Sequence, residues 1–397
     1  MTSNGHHRWG RGTLLDLVRL QRGHDLPEPK RRPGAVPVMG SAGLSGYHNE
    51  ARATGPGLVV GRSGASFGKV HYCSVDYWPL NTALFVTDFM GNDPRYVYYA
   101  LTTLDLTKFN SGSAQPSLNR NFIASIPVPI PPKEDQIRIV SVLGVLDDKI
   151  DSNRRLAALL EQTAAELFRA QFVDFVGVEE FEDSEIGRIP RGWRVGSLLD
   201  TARFVNGRAF TKEANHLGRP ILRIKELNGS VGSDTPYSDV GTADDHVARA
   251  HDILFAWSGS LDVYRWRGPE SLINQHIFKV IPERYPLWFV HQWIQEHMAE
   301  FRAIARDKAT TMGHIQRGHL AEAVVPLPDA EAVGCGEAVL GPIDNELNVL
   351  ASEAATLTLI RDALLPKLIS GAIRVPDATD PAEVIEPARA ELAAVKR

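Results

Sequence analysis

The stretch W-G-R-G-T-L-L-D-L-V-R-L-Q-R-G at residues 9–23 returns as W-R-V-G-S-L-L-D-T-A-R-F-V-N-G at residues 193–207. A second segment, L-N-R at residues 118–120 followed by two prolines, returns in the same order as I-Q-R at residues 315–317. Both recur after about two hundred residues, an interval far longer than the ~20–50 residues of a solenoid repeat. The sequence therefore predicts two similar domains that perform similar tasks, with Trp9 and Trp193 as matching structural anchors.

The length and composition fit a globular protein of more than one domain. A chain of 397 residues favours two or three domains at ~100–200 residues each. The two cysteines, Cys73 and Cys335, are too few for a disulfide framework or a four-ligand zinc site. No apolar run approaches the ~18 residues of a membrane helix, and no secretory segment opens the chain. We therefore expect a cytoplasmic protein with no membrane partner, no metal and no cofactor of its own.

The formal net charge of −5 conceals an uneven distribution of charged residues. Residues 1–132 carry 13 basic and 8 acidic side chains, and residues 188–330 carry 18 and 16. The remaining segments carry 12 basic and 24 acidic side chains. Positive globular units and acidic connecting segments are compatible with DNA binding by the former and a protein partner on the latter. The small positive excess in the second unit is a weak indication by itself.

A long helix is predicted from residue 134 to about residue 172, a stretch with no proline and one glycine. Its apolar positions alternate at spacings of three and four, which is typical of a coiled coil. At ~1.5 Å per residue, such a helix is about 57 Å long. The mid-helix Asn153 is either a buried residue that fixes the register or a residue that faces water or a partner. The predicted seam consists of Ile139, Leu143, Leu146, Ile150, Asn153, Ala157, Leu160, Ala164 and Leu167.

A shift of 197 residues places a second seam near the end of the chain. We expect this helix at about residues 335–369, with a late or kinked first turn at Pro342 and an early end at Pro366. Since neither apolar seam can stay exposed, the simplest arrangement pairs the two helices antiparallel, with an internal pseudo-two-fold axis and the globular domains at opposite ends. The second seam consists of Leu340, Ile343, Leu347, Leu350, Ala354, Leu357, Arg361 and Leu364.

The globular domains are predicted to mix strands, loops and helices, so the fold class is α+β. Strands are expected at 56–62, 68–72, 83–86, 220–224, 252–256 and 276–280, and helices at 94–106 and 286–305. The tail is expected to be flexible or a short helix. The predicted domain limits are 1–133 for the first domain, 134–175 for the first helix, 176–330 for the second domain, 331–375 for the second helix and 376–397 for the tail.

Basic and polar side chains cluster in the loops of both domains. Arg, Asn and Gln can make bidentate contacts to base edges, and Lys and Arg neutralise phosphates. For any single residue a solvated surface position is the more common alternative, and the recurring Arg120 and Arg317 could equally make an internal contact. The candidate DNA-binding residues are Lys30, Arg31, Arg32, Arg62, Ser63, Lys69, Gln115, Asn119 and Arg120 in the first domain, and Arg223, Lys225, Arg265, Arg267, Lys308, Gln316 and Arg317 in the second.

Known catalytic signatures are missing from the sequence. Residues 64–70 resemble a P-loop, but one residue is missing between the glycines, and Val70 stands where Ser or Thr would hold magnesium. His314 and His319 lack the spacing of an H-E-x-x-H zinc site, and no G-x-S-x-G elbow is present. Nor does the chain contain the Asn-Pro-Pro-aromatic or Asp-Pro-Pro-Tyr stretch of amino-methyltransferases. We therefore expect a chain that is not an enzyme.

An ordered series of short motifs extends over about residues 9–375. Its members include Pro37-Val38-Met39-Gly40-Ser41, Gly46-Tyr47-His48-Asn49-Glu50, Trp78-Pro79-Leu80-Asn81-Thr82, Leu146-Asp147-Asp148-Lys149-Ile150, Phe172-Val173-Asp174-Phe175, Pro190-Arg191-Gly192-Trp193, Asn274-Gln275-His276 and Leu368-Ile369-Ser370-Gly371. Each fragment alone is weak, but the ordered series is highly specific. In this series the chain strongly resembles the DNA-specificity subunit of type I restriction–modification enzymes.

This resemblance implies a non-catalytic subunit with two target-recognition domains, each recognising one half of a split, asymmetric DNA sequence from the major groove. The paired helices would set the spacer between the half-sites, which lie ~34 Å apart when separated by one helical turn. The helices would also dock two methyltransferase (modification) subunits, which bind S-adenosylmethionine and methylate adenine. Restriction subunits, which use ATP and Mg, would join where the system has them. These cofactors would belong to the partner subunits.

Two alternatives stay open on the sequence alone. A coiled-coil assembly scaffold without DNA readout would share the helices and the acidic segments. An enzyme in its own right, a nuclease or a methyltransferase, is disfavoured by the missing motifs. The motifs thin out at residues 208–310, as expected if each domain recognises a different half-site.

Overall fold

The computed structural model describes residues 9–112, 116–229, 231–232, 234–307, 313–377 and 379–395. The chain forms two compact units, of which unit 1 contains Met1–Asp151 and Ala355–Arg397 and unit 2 contains Ser152–Ala354. Each unit therefore combines one globular domain with a part of each long helix. This division differs from the one expected from the sequence, because the boundary between the units falls inside both helices. The predicted limits of the globular domains stay a prediction.

The globular part of unit 1 is built from short strands. Within the described residues they form a four-stranded sheet of order β2-β8-β5-β6, a three-stranded sheet of order β4-β3-β7 and the pair β1-β9. Only the β3–β7 pairing is parallel among these sheets. The strands are β1 (Arg11–Thr13), β2 (Arg19–Arg22), β3 (Val36–Gly40), β4 (Gly43–His48), β5 (Gly57–Gly61), β6 (Val70–Cys73), β7 (Trp78–Pro79), β8 (Ala83–Asp88) and β9 (Pro127–Pro129).

Unit 2 repeats this topology although its sequence motifs thin out. In the part of the chain that the structure describes, the order β13-β20-β17-β18 matches β2-β8-β5-β6, and β15-β14-β19-β16 extends the pattern of β4-β3-β7. The pair β12-β21 matches β1-β9, and β10-β11 forms a separate hairpin. The strands are β10 (Phe181–Ser184), β11 (Gly187–Pro190), β12 (Arg194–Ser197), β13 (Ala202–Asn206), β14 (Arg219–Leu222), β15 (Tyr237–Ser238), β16 (Val247–Ala248), β17 (Ile253–Ala256), β18 (Asp262–Arg265), β19 (Ser271–Ile273), β20 (Ile277–Pro282) and β21 (Val324–Leu327).

Helices complete both units, and the strands and helices predicted for the globular domains are present. The helix predicted at 94–106 ends earlier, at Thr102, and a 3-10 turn follows at Leu106–Phe109. A π-helical turn, Arg169–Val173, continues the first long helix. The helices are α1 (Leu14–Leu17), α2 (Pro94–Thr102), α3 (Arg120–Ile123), α4 (Lys133–Phe168), α5 (Leu198–Thr201), α6 (Ile224–Asn228), α7 (Leu287–Asp307), α8 (Arg317–Glu322), α9 (Ala330–Ile369) and α10 (Pro381–Val395).

The repeated opening motif forms the same capped turn in each unit. Thr13 and Ser197 begin the one-turn helices α1 and α5, and each has a carboxylate three residues later. The Oδ2 atoms of Asp16 and Asp200 accept the backbone N–H of these cap residues at 2.8 and 2.7 Å. The same hydrogen bonds lower the pKa of both carboxyl groups. The shared G-T/S-L-L-D pattern is thus a capping box, which satisfies N–H groups that a helix start leaves unpaired.

The glycine that closes each copy of the motif is required by a close approach of two chain segments. A Cβ atom on Gly23 would lie 2.2 Å from the carbonyl oxygen of Leu80, and one on Gly207 would lie 2.2 Å from that of Asn274. Any side chain at these positions would push β2 away from the segment after β7, and β13 away from the segment after β19. The glycine is therefore part of the shared framework.

The recurring tryptophans pack at the ends of the two long helices. In unit 1, the Nε1–H of Trp9 donates to the carbonyl oxygen of Leu368 at 3.3 Å, near the end of α9. In unit 2, the ring of Trp193 lies 5.9 Å from that of Phe172 and 5.6 Å from that of Phe175, just after α4. Both tryptophans are buried. These contacts match the structural role predicted for them.

The two long helices pack against each other in antiparallel directions, as predicted. In unit 2, the Nδ2 of Asn153 donates to Glu353 Oε2 at 2.6 Å, and Gln171 Nε2 donates to the carbonyl oxygen of Ala332 at 3.5 Å. Residue numbers therefore rise along α4 while they fall along α9. Asn153 is buried, which matches its interpretation as a register-fixing residue. A hydrogen bond to a charged carboxylate is worth ~1.5–3 kcal/mol.

The predicted seam is largely buried, but its last α4 position is wrong. Leu167 is 38% exposed, whereas the neighbouring Phe168 is fully buried. The buried row advances by four residues from Ala164 to Phe168 and again to Phe172. An α-helix has 3.6 residues per turn and drifts from a strict 3.5-residue repeat, so the buried side moves from Leu167 to Phe168. Buried seam residues are Ile139, Leu143, Leu146, Ile150, Asn153, Ala164, Leu340, Leu347, Leu350, Leu357 and Leu364, and partly buried ones are Ala157, Leu160, Ile343, Ala354 and Arg361.

The predicted effects of the two prolines on the second helix are also wrong. Helix α9 starts at Ala330, where Asp329 Oδ1 accepts the N–H of Ala332 at 2.9 Å and so caps the first turn. Pro342 lies well inside the helix, and the helix continues past Pro366 to Ile369. Each proline removes one backbone donor, but apolar residues buried on the same helix maintain the packing around both positions.

The tail forms a helix, one of the two alternatives expected for it. Helix α10 buries Ala388 and packs Val384, Ile385 and Leu392 against the unit 1 core. Lys367 Nζ at the end of α9 lies 3.2 Å from Glu391 Oε2. In the described ranges, no helix combines the length and apolar character that crossing a membrane requires. The same ranges contain no group of three His, Cys, Asp or Glu side chains arranged to hold a metal ion.

Candidate nucleic-acid interface

Unit 1 has an open cavity of about 520 Å³ at one edge of its four-stranded sheet. Gln21 and Arg22 from β2, Arg62 after β5, and Asn119 and Arg120 at the start of α3 contribute to its lining. Three of these residues were predicted from the sequence, whereas Gln21 and Arg22 were missed. The cavity thus combines arginine and amide side chains, the groups that contact phosphates and base edges.

Backbone hydrogen bonds hold Arg62 at the junction of three segments. Its N–H donates to the carbonyl oxygen of Thr82 at 2.9 Å, and its own carbonyl accepts the N–H of Leu118 at 2.8 Å. Its guanidinium donates to the carbonyl oxygen of Asn81 at 3.2 Å. The adjacent Ser63 forms an isolated bridge with Ser117. The position of Arg62 is therefore fixed, while its remaining N–H groups border the cavity.

Arg120 and Arg317, which recur in the two units, each make an internal contact with the backbone, one of the two roles that the sequence left open. Arg120 Nη1 donates to the carbonyl oxygen of Leu20 at 3.3 Å in unit 1, and Arg317 Nη1 donates to that of Phe204 at 3.2 Å in unit 2. Leu20 and Phe204 occupy the same place in the two copies of the opening motif. A contact identical in both units fixes α3 and α8 against the sheets. It does not distinguish one half-site from another.

The other predicted residues of unit 1 differ in their surroundings. Arg31 donates to the carbonyl oxygen and the hydroxyl of Ser45 at 2.5 and 3.2 Å, which fixes it against β4. Lys30 and Arg32 are exposed beside it. Lys69 is also exposed, and its carbonyl accepts the N–H of Gly61 at 2.7 Å, so it lies next to the Arg62 segment. Gln115 lies outside the described residues.

In unit 2 the candidate Arg265 lies in a buried ion pair. Its side chain is 8% exposed and donates to both carboxylate oxygens of Asp344 on α9, at 2.7 and 3.3 Å. Arg223 is likewise engaged by the buried Glu226, with distances of 2.5 and 3.0 Å. A buried charge is costly unless an opposite charge pairs with it. Asp344 pairs with the buried Arg265, and Arg223 pairs with the buried Glu226. Sequence composition alone does not reveal ion pairs between distant segments.

The remaining predictions for unit 2 fall at scattered positions. Lys225 pairs with Asp234. Arg267 lies 3.8 Å from Glu161 of α4, and burial lowers the pKa of its guanidinium. Gln316 is exposed at the start of α8. Lys308 lies outside the described residues.

The unit 2 edge equivalent to the unit 1 cavity carries different side chains. Trp257 follows β17 as Arg62 follows β5, and its carbonyl accepts the N–H of Ile315 at 3.0 Å, as the carbonyl of Arg62 accepts that of Leu118. Asn206 precedes Gly207 as Arg22 precedes Gly23. Sequence reasoning missed Trp257 and Asn206. The opening repeat offered a signal for Asn206, since the residue before each motif-closing glycine lies at this edge.

The chain thus contains two copies of one mixed α/β domain, each with a polar edge. Residues 7–162 match the family model described as the type I restriction modification DNA specificity domain. The MjaIX type I specificity subunit of Methanocaldococcus jannaschii is 24% identical over 313 residues, which cover 71% of this chain and 69% of that protein. The EcoprrI specificity subunit of Escherichia coli is 28% identical over 147 residues, or 36% of this chain and 37% of that protein.

A solved structure has the same fold. The crystal structure of the type I restriction–modification system S subunit from M. genitalium aligns with a TM-score of 0.58 at 16% identity, covering 96% of this chain and 99% of that one. The chain is thus similar to type I restriction–modification specificity subunits, in sequence over 71% of its length and in fold over nearly all of it. The likeness in fold extends over both units, whereas the family model matches the first globular domain and most of α4.

Proposed function

We propose that this chain recognises double-stranded DNA for a type I restriction–modification complex, with each unit contacting one half of a bipartite asymmetric site. The observation that carries this proposal is the duplicated edge. Unit 1 presents Arg22, Arg62 and Asn119 there, and unit 2 presents Asn206 and Trp257 on the same backbone scaffold. Equal scaffolds with unequal side chains are what two different half-sites require, because side chains at base edges specify sequence.

The long helices supply the proposed docking surface for partner subunits. Leu156, Leu159 and Leu167 of α4 are exposed at 43%, 62% and 38%, and their spacing of three and eight residues places them along one side of the helix. Val349 of α9 is 59% exposed. Exposed apolar residues at helical spacing fit contact with a protein rather than with DNA. We propose that two methyltransferase subunits dock on the helices, one for each repeated unit.

The expected cofactors follow from these proposed partners. S-adenosylmethionine would be bound by the methyltransferase subunits, and ATP and Mg by restriction subunits in systems that have them. The helices would set the spacer between the half-sites. Because the proposed complex acts on genomic DNA, we propose that it is cytoplasmic.

The test is a selection of bound sequences from a random double-stranded DNA library by the full chain assembled with its methyltransferase subunits. The expected result is one bipartite sequence with a fixed spacer, and binding that weakens steeply as salt rises, since phosphate contacts release counterions. The variants Arg22→Gln and Arg62→Gln should weaken binding. A wild-type assembly that selects no sequence, or unchanged binding by both variants, would favour the scaffold alternative.

A further inference from the structure

The unit 2 edge centres on a tryptophan enclosed by imidazole and amide groups. The Trp257 ring centroid lies 5.3 Å from that of His276 and 6.4 Å from that of His314. Its Nε1–H donates to Asn206 Oδ1 at 2.9 Å. The other side of the indole packs against Phe278, with centroids 5.9 Å apart. These contacts fix the indole in one position and tie Asn206 to it.

This edge lacks the positive charges found at the matching positions of unit 1. Arg22, Arg62 and Lys69 of unit 1 correspond to Asn206, Trp257 and Asp262 of unit 2, where Lys69 directly precedes β6 and Asp262 opens β18. Asp262 itself is paired with Arg302 at 3.3 Å. Phosphate contacts depend on cationic side chains, so these three positions of unit 2 cannot neutralise phosphates as their unit 1 counterparts can. The amide and imidazole groups of the unit 2 edge are instead suited to hydrogen bonds with base edges.

Exposed hydrogen-bonding groups remain on this edge after the internal contacts are counted. Asn206, Gln275 and His276 are all exposed. Trp257 occupies the Oδ1 atom of Asn206, and the amide NH2 group of Asn206 donates no hydrogen bond to the residues that the structure describes. Gln275 Nε2 lies 3.3 Å from His276 Nε2. Asn and Gln amides can pair bidentately with adenine, and apolar rings can contact the thymine methyl group.

We propose that Asn206, Trp257 and His276 form the specificity-determining patch for the second half-site, acting through base contacts. In unit 1 the arginines contribute phosphate contacts and leave base recognition to other side chains of that edge, such as Asn119. This inference rests on the proposed function and adds a division of labour between the two edges. Asn206 and His276 would contact base edges. Trp257 is the positioning residue that holds the Asn206 amide, and its half-buried ring lies beside both groups.

The experiment uses the full chain assembled with its methyltransferase subunits and the bipartite DNA selected from a random library by the wild-type assembly. The variants Asn206→Ala and Trp257→Phe are compared with Arg62→Gln as the matched unit 1 control. Affinity is measured across a salt series, and the base preference of each half-site is measured by repeated selection. Thermal unfolding of each variant checks that the fold is intact.

Asn206→Ala should relax base preference in the second half-site alone, by roughly 5- to 100-fold at one position. Its slope of log affinity against log salt should equal that of the wild type. Arg62→Gln should weaken binding to all sequences alike and reduce the magnitude of that slope by about 0.9. Trp257→Phe keeps an aromatic ring but loses the donor to Asn206, so it should give a smaller change of the same kind as Asn206→Ala.

The inference is overturned if Asn206→Ala and Trp257→Phe, both folded, leave the second half-site preference unchanged, or if Asn206→Ala lowers the salt slope as much as Arg62→Gln does. A wild-type assembly without any sequence preference would instead contradict the proposed function itself. The two failures are therefore distinguishable from the same data.

Discussion

The two units fasten their globular domains to the long helices through equivalent aspartates that have different partners. In unit 1, Asp147 of α4 accepts the Tyr99 hydroxyl at 2.7 Å and the Arg361 guanidinium at 3.0 Å. In unit 2, Asp344 of α9, at the position shifted by 197 residues, accepts two hydrogen bonds from Arg265. The duplicated chain has kept the acceptor on the helix and exchanged the donor. The acceptor is thus preserved by identity, and the donor is preserved only by role.

The consequence of this exchange is a difference in buried charge. Unit 1 combines a phenol with an arginine whose side chain is 25% exposed, whereas the Arg265 side chain in unit 2 is 8% exposed. Burial, together with the hydrogen bond to Asp147, raises the pKa of Tyr99, so its hydroxyl stays a neutral donor. Removing a partner should therefore cost unit 2 more than unit 1, because an unpaired buried charge is expensive.

Removal of the Asp344 carboxylate should produce the largest effect. Asp344→Ala leaves the Arg265 guanidinium buried without its counter-charge, and the expected loss is ~3–5 kcal/mol of unfolding free energy in unit 2. Urea unfolding with hydrogen exchange detected by mass spectrometry would assign the loss to unit 2. The matched control is Asp148→Ala, which removes a 69% exposed carboxylate from Arg95 and should cost at most ~1 kcal/mol. Equal losses in the two variants would contradict the proposed role of Asp344.

A buried histidine should make the stability of unit 2 depend on pH. Burial, reinforced by the charges of Arg265 and Arg267, lowers the pKa of His291 to about 3. The unfolded chain has a histidine pKa of ~6.5, so below that pH the unfolded state binds a proton that the folded state does not. The unfolding free energy therefore falls as pH is lowered from ~6.5, by up to ~2 kcal/mol at pH 5.

The check on His291 is a pair of urea unfolding series at pH 7.5 and pH 5. Wild type and His291→Gln are compared, and the difference between their pH dependences isolates this imidazole from other titrating groups. Between pH 7.5 and pH 5, the unfolding free energy of the variant should fall by up to ~2 kcal/mol less than that of the wild type. Identical pH dependences in the two proteins would show that His291 is protonated normally in the folded state.

The hydroxyl of Tyr99 should make a smaller contribution to unit 1. Tyr99→Phe keeps the buried ring and removes the donor to Asp147, which retains its contact with Arg361. A hydrogen bond to a charged group is worth ~1.5–3 kcal/mol, and the remaining partner puts the expected loss near ~1.5 kcal/mol. Urea unfolding at neutral pH measures it. A loss as large as that of Asp344→Ala would remove the contrast between the units.

Sequence periodicity predicted the helices well because burial along a coiled coil follows a simple repeat. It failed at Leu167, since a helix of 3.6 residues per turn drifts from a strict heptad and brings Phe168 to the buried side instead. It also could not show that Arg265 pairs with Asp344, which is 79 positions away. Arg62 and Asn119 were predicted from loop composition. Arg22 and Trp257 became visible only when strand pairing aligned the edges of the two units.

The repeated capping boxes should give the smallest effects and test whether the framework is energetically equal in the two units. Thr13→Ala and Ser197→Ala each remove a hydroxyl that donates to the carboxylate three residues later, at 2.7 and 2.9 Å. Loss of an N-cap side chain typically costs ~1 kcal/mol, and both variants should show this value within error in urea unfolding. The two edges are proposed to differ because they contact different half-sites. The turns at α1 and α5 make the same contacts in both units, so their stabilising effects should be equal. A cost confined to one unit would mean that the shared motif is retained in the other without stabilising it, and the equivalence of the two frameworks would then fail.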